Sequence, residues 1–253
     1  MIEITPQQIH LWHFLHPNDG QESGIDVVDS FLDQTEIAKC TKIRNAEAKA
    51  QFIYSRAFLR NILSQYTGIK PKELSFKTGE WGKPHIAQNT PIKFNLSHTH
   101  GLTSIVITNN IECGIDIEQT QKIGQDYLNL APRIMDECEL EYFNTLDANQ
   151  KPSNFVSIWT IKESYIKTLG MGLSYNLTDI HIDAPNSASP VIQDRNDETA
   201  QQRFSISILN PEKNYVGACV TESATDDISY FDTIIDSLSA SRTTLTPQRI
   251  EKT

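Results

Sequence analysis

Apolar residues recur along the chain with two distinct periods. Ile9 to Phe14 alternates and predicts a strand, whereas residues 29–39 and 45–66 carry helical spacing, with Ala46, Ala50, Ile53, Ala57 and Leu63 forming the stripe of the second helix. Gly68 and Pro71 end that helix, and Glu73 to Lys77 resumes as a strand. Gly79 to Pro91 mixes glycine, proline and polar residues and predicts a loop. Lys93 to His98, Leu102 to Thr108 and Ile111 to Glu118 read as strands, the first two split by Gly101 and the last two by an Asn109-Asn110 turn. Then the order repeats: one helix over 126–144 with Asp136, Glu137, Glu139 and Glu141 on a solvated face, a strong helix over 153–169, and strands at Asp179–Ile182, Arg203–Leu209 and Asn214–Thr221.

This order suggests an internal duplication. Tyr54 to Arg60 resembles Ile161 to Lys167, Lys93 to Ser97 resembles Arg203 to Ser207, and Gly101 to Thr108 resembles Asn214 to Thr221. The expected architecture is α+β, a pseudo-dimer of two similar α/β subdomains at 1–110 and 111–225. A loop spans 185–202, and a partly mobile tail covers 226–253, with a short element at Ile228 to Leu238.

Charge and cysteines narrow the setting. The net charge of −10 opposes phosphate backbones, so no nucleic-acid partner is expected. No apolar run is long enough to span a membrane, and the N-terminus lacks the basic and apolar regions of a signal peptide. Cys40, Cys113, Cys138 and Cys219 form no CxxC pair, so reduced thiols in a cytoplasmic protein are expected.

Four segments offer chemistry. In Gly114-Ile115-Asp116-Ile117-Glu118, strand alternation puts Asp116 and Glu118 on one face, about 7 Å apart. They form either a solvated acidic face or ligands for a hard cation such as Mg²⁺, with Mn²⁺ as the alternative. In Trp159-Thr160-Ile161-Lys162-Glu163-Ser164-Tyr165-Ile166-Lys167, Lys162 falls near the middle of the apolar stripe, and Glu163 and Lys167 stand at i and i+4 on its edge. They are either a surface pair or a carboxylate and an ammonium facing one ligand. Gly82, Lys83 and Pro84 make a stiff loop with one positive charge. Ser97 and His98 end a strand before a glycine and suit a phosphate oxygen. A hydrolase triad is a poor reading without a GxSxG elbow. A metal site at His10, His13 and His16 is disfavoured by the strand, and neither a P-loop nor a dinucleotide fingerprint is present.

Taken in order, Trp-Gly-Lys-Pro, Phe-Asn-Leu-Ser-His, Gly-Ile-Asp-Ile-Glu and Trp-Thr-Ile-Lys-Glu-Ser-Tyr-Ile-Lys resemble the 4′-phosphopantetheinyl transferases of the Sfp/HetI class, over roughly residues 30–225. The Leu169-Gly170-Met171-Gly172-Leu173 segment is similar to the glycine pair that follows in that class. The resemblance implies a monomer with an internal pseudo-two-fold and coenzyme A, a substrate, in the cleft between the halves. It implies transfer of the phosphopantetheine arm to a serine of an apo acyl or peptidyl carrier protein, with release of adenosine 3′,5′-bisphosphate.

The resemblance also assigns residues. It makes Asp116, Glu118 and Glu163 the metal ligands, Glu163 the proton acceptor and Lys167 the leaving-group partner, with Lys162 helping to hold the pyrophosphate. Ser97, His98, Gly82, Lys83 and Pro84 match positions at the 3′-phosphate and adenine end, and Arg56 matches an arginine of the HetI-like branch. An arginine expected near Phe52 is replaced by Lys49-Ala50-Gln51, so either Lys49 takes over or the pocket is weaker. Residues 120–140 match the carrier-docking region, with Ile123, Tyr127, Leu128, Leu130 and Met135 as its apolar face or as inward packing. The competing readings are a metal-dependent phosphodiesterase or nuclease, and a non-catalytic carrier-binding module.

Overall fold

A computed structural model describes residues 1–17, 28, 30–122, 124, 126–222, 229–235 and 248–250, without the side chains of 122, 173 and the last two segments. The strands are β1 (Gln8–Leu15), β2 (Phe76–Thr78), β3 (Pro84–Ile86), β4 (Ile92–Thr99), β5 (Leu102–Asn109), β6 (Cys113–Gln119), β7 (Ile180–Asp183), β8 (Val191–Asp194), β9 (Phe204–Leu209), β10 (Tyr215–Glu222), β11 (Ser229–Ile235) and β12 (Gln248–Ile250). The α-helices are α1 (Gln34–Cys40), α2 (Ala46–Thr67), α3 (Tyr127–Ile134), α4 (Glu137–Thr145), α5 (Lys151–Leu169) and α6 (Ala200–Arg203). The chain divides into two units, residues 1–77, 84–110 and 227–253 in the first, and 78–83 and 111–226 in the second.

In the first unit the sheet order is β12-β11-β1-β5-β4. Helix α2 lies against it because its apolar stripe, Ala57, Phe58 and Ile62, meets Trp12, Phe14, Phe94, Ile105 and Ile107 in one core. Asn45 caps its N-terminus through Ala48 N at 2.9 Å. Its C-terminus turns out at Gly68, where φ is +70° and a side chain would be strained. The expected 29–39 helix is interrupted: residues 28, 30 and 31 are helical, Leu32 and Asp33 are not, and α1 starts afresh where Asp33 and Glu36 close a capping box. Arg60 is fully buried against that box. It donates to Glu36 Oε2 at 2.5 Å, to Asp33 and to the carbonyls of Pro71 and Leu74.

The second unit holds the sheet β6-β10-β9 and the hairpin β7-β8. The order β6-β10-β9 repeats β1-β5-β4, with antiparallel pairing throughout, and a long helix precedes β4 and β5 in the first unit as it does β9 and β10 in the second. The protein is therefore α+β with two similar halves. Helix α5 packs very close to its sheet, because Gly114 of β6 has no side chain. A Cβ there would lie 2.1 Å from Ser164 O. Ser164 Oγ and Thr168 Oγ1 then donate to Ala218 O and Val220 O of β10 at 2.8 and 3.0 Å.

Several expectations change, among them the Gly79 to Pro91 loop, which contains β3. The single helix over 126–144 is two helices, because Met135 is extended and Asp136 starts α4 with a capping box to Glu139. Asp136 and Glu139 are consequently buried, while Glu137 and Glu141 stay in solvent. The 185–202 loop contains β8 and the short helix α6. The C-terminal segment adds β11, parallel to β1, and β12 to the first sheet, with the expected mobility at 236–247 and 251–253 lying outside the described residues.

Candidate active site

Strand β6 and helix α5 bring the second unit's acidic residues together. Asp116 is 5% exposed, Glu163 is 7% exposed, and Glu118 is half-buried at the strand's end. Lys167 Nζ lies 2.6 Å from Asp116 Oδ1 and 3.3 Å from Ile115 O. The indole N–H of Trp159, half-buried and stacked on Phe155, points at Glu118 Oε1 from 3.4 Å.

Glu163 is the perturbed member. Burial is the main cause, and Asp116 and Glu118 add to it, so its carboxyl is pushed up from 4.5 to about 7 although Lys167 pulls the other way. Its Oε1 is buried and meets no hydrogen-bond donor. An acceptor-only oxygen in that state fits a cation, and an all-carboxylate set of this kind suits a hard divalent ion. Among the described residues, the three-residue group whose ligand atoms already converge within 4.8 Å is a different one, Asp136, Glu139 and His181.

That second group is internally satisfied. Asp136 Oδ2 pairs with His181 Nδ1 at 2.9 Å, and Asp136 Oδ1 caps Glu139 N at 2.8 Å. Glu139 accepts from Ile182 N, from Asp136 N and from Lys162 Nζ, the last at 2.5 Å.

Lys162 is therefore not placed to hold a pyrophosphate. It is fully buried, donates to Ile134 O and Leu177 O as well as Glu139, and so has all three N–H groups engaged inside the second unit. Burial lowers its pKa, and the Glu139 carboxylate opposes that shift.

Lys83 is also paired within its own unit. Its Nζ donates to Glu112 Oε2 at 2.9 Å and to Cys113 O and Thr168 O at 3.1 Å, tying the loop to the start of β6 and the last turn of α5. Gly82 beside it has a φ of +94°, and Pro84 begins β3. Arg56 is held by Glu36 Oε1 at 2.5 Å and lies over the Phe76 ring, so its guanidinium serves the α1–α2 contact.

Ser97 and His98 do not act from one face. They are neighbours on β4, so Ser97 is buried on one side and His98 is exposed on the other. His98 Nδ1 meets Gln51 Nε2 at 2.9 Å. Gln51 thus reaches His98 from the stretch where an arginine was expected, while Lys49 is exposed on the first turn of α2. In the 120–140 region Leu128 and Leu130 are 48% and 40% exposed. Met135 packs inward, Tyr127 packs on Phe143 and Phe155, and Ile123 lies outside the described residues.

The comparisons with known proteins follow the same division. Residues 112–220 match the family model of the 4′-phosphopantetheinyl transferase superfamily, and residues 19–110 match that of the 4′-phosphopantetheinyl transferase N-terminal region. The chain is also 30% identical over 184 residues to the 4′-phosphopantetheinyl transferase HetI of Nostoc sp., spanning 72% of this chain and 76% of HetI. The chain belongs to the 4′-phosphopantetheinyl transferase superfamily. The transferase is 29% identical over 171 residues to Sfp of Bacillus subtilis, covering 64% of this chain and 75% of Sfp. A solved holo-(acyl-carrier-protein) synthase from Bacillus anthracis, in complex with CoA, is 21% identical with a TM-score of 0.38 over 45% of the transferase and 96% of that chain.

Proposed function

We propose that this transferase moves the 4′-phosphopantetheine arm of coenzyme A onto a serine of an apo acyl or peptidyl carrier protein and releases adenosine 3′,5′-bisphosphate. One observation supports the residue roles above the others. Glu163, buried beside Asp116 and Glu118 with an unpartnered oxygen, stands one helical turn before Lys167.

The roles follow from the reaction. The serine Oγ forms a bond to the phosphorus that carries pantetheine, and the bond from that phosphorus to the bridging oxygen breaks. Asp116, Glu118 and Glu163 would hold Mg²⁺ or Mn²⁺, which supplies charge neutralisation at the pyrophosphate. Glu163 takes the serine proton, directly or through a water, in addition to its place in the carboxylate set. Lys167 neutralises the charge left on the bridging oxygen. Removing such a group costs about 100-fold in turnover, so Lys167→Ala is expected to lose at least that in kcat. His98, with Gln51 beside it, is the contact assigned to the 3′-phosphate. The exposed Leu128 and Leu130 offer apolar contact to the carrier, which a chain of net charge −10 cannot attract by charge alone.

No described helix is long and apolar enough to cross a membrane. The four cysteines form no CxxC pair, which suits a reducing, cytoplasmic setting. The deciding assay is mass spectrometry of several apo carriers with coenzyme A and Mg²⁺. The expected gain is about 340 Da, from the covalent chemistry of the arm. Nucleotide release that does not depend on an apo carrier would instead identify a phosphodiesterase.

A further inference from the structure

Two lysines of α5 meet carboxylates in the second unit, and they differ in one respect. Lys162 is fully buried with its Glu139 partner, whereas the Lys167 side chain is 28% exposed and its partner Asp116 only 7%. Lys167 therefore has a route to water along its own stem, and it can leave Asp116 without stranding a charge in the interior.

We propose that Lys167 is the resident counter-ion of the carboxylate set, and that a divalent cation enters the set by displacing the Lys167 ammonium from Asp116. This rests on the reading that Asp116, Glu118 and Glu163 hold a divalent cation. The Lys167 ammonium sits 2.6 Å from Asp116 Oδ1. A hard cation binds carboxylate oxygen at about 2.1 Å, so a cation sharing that oxygen would stand about 4 Å from the ammonium and the two charges would repel. That repulsion favours departure of the group with a path to water, and Lys167 is the one tethered to solvent.

The exchange has a functional consequence. While it neutralises Asp116, Lys167 is withheld from the phosphate. Once displaced, it is a free ammonium one turn from Glu163, next to where the leaving oxygen develops charge. Cation entry and delivery of the leaving-group partner are then one event, which arms the site only when the cation is in place.

The test is Mn²⁺ titration of the metal-stripped full chain without coenzyme A, with free Mn²⁺ read by electron paramagnetic resonance. A pH of about 8.5 keeps Glu163, with its pKa of about 7, ionised. Lys167→Gln should bind Mn²⁺ about two- to fivefold more tightly than wild type, the range set by the loss of one partly exposed ion pair. Lys167→Arg keeps the charge and should stay close to wild type, and Asp116→Asn should lose the site. In the wild-type protein, acylation of Lys167 by an amine-directed reagent, read by peptide mass mapping, should rise when Mn²⁺ saturates. Unchanged or weaker binding by Lys167→Gln, or labelling of Lys167 indifferent to Mn²⁺, overturns the displacement and leaves the cation site standing. An absence of Mn²⁺ binding in the wild type overturns both.

Discussion

Replacing Lys162 by methionine separates its two assigned roles. The substitution keeps the length and apolar stem but removes the ammonium that donates to Glu139 Oε2 at 2.5 Å, Ile134 O at 2.8 Å and Leu177 O at 3.1 Å. Glu139, only 4% exposed, is left as a buried anion without its cation. Breaking one side of a buried pair costs about 3–5 kcal/mol. The N–H groups of Asp136 and Ile182 still reach Glu139, which argues for the lower end, about 3 kcal/mol. At about 2–4 °C per kcal/mol for a chain of this size, the melting midpoint should fall by about 6–12 °C. The assay is a thermal melt, paired with the KM for coenzyme A well below the transition. We expect a lower midpoint and a KM within about twofold of wild type, since every donor of Lys162 is used internally. The double variant Lys162→Met with Glu139→Gln removes the stranded charge and should recover at least about 1 kcal/mol of the loss. A Lys162→Met protein that melts like wild type but binds coenzyme A poorly would refute the structural role and return this lysine to the pyrophosphate.

Three other outcomes are expected. In EDTA the Glu163 carboxyl is raised by burial from 4.5 to about 7, so its stabilising contribution is complete below about pH 4.5 and is lost as pH rises through about 7. Melts of wild type and Glu163→Gln should diverge across that window by at most about 3 kcal/mol, and parallel curves would dismiss the shift. Gly114→Ala puts a Cβ 2.1 Å from Ser164 O and 2.6 Å from Thr168 N, both backbone atoms. It should cost about 3 kcal/mol or more and lower turnover by moving Asp116 away from Glu163, so a normal melt would contradict that packing. His98→Ala should raise the KM for coenzyme A about tenfold while leaving that for dephospho-coenzyme A nearly unchanged, and equal losses would remove His98 from the 3′-phosphate.

Much of this protein is local in origin and therefore legible in the chain. The α2 and α5 stripes follow from helical periodicity, and their ends from Asn45, Gly68 and Gly170. Strand alternation alone places Asp116 and Glu118 on one face, and by the same rule it parts Ser97 from His98. The D-x-x-E spacings Asp33–Glu36 and Asp136–Glu139 also announce the starts of α1 and α4, a signal that outranks the continuous apolar pattern across 126–144. Partner choice is not local. Periodicity already sets Lys162 in the middle of the α5 apolar stripe and Lys167 on its edge, but it does not say what either ammonium meets. That depends on Glu139, 23 positions earlier, meeting Lys162, and on Asp116, 51 positions earlier, meeting Lys167. The same holds for Lys83, whose charge is consumed by Glu112 and by the carbonyl of Thr168, 85 positions later. A side chain's charge is set by its type, but its use depends on which distant carboxylate or carbonyl the packed backbone brings within about 3 Å. The sequence by itself determined the elements and the residue types that the chemistry needs. Only the tertiary structure decided that Lys162 and Lys83 brace the second unit, and that Lys167 stands at the carboxylates with a path to water.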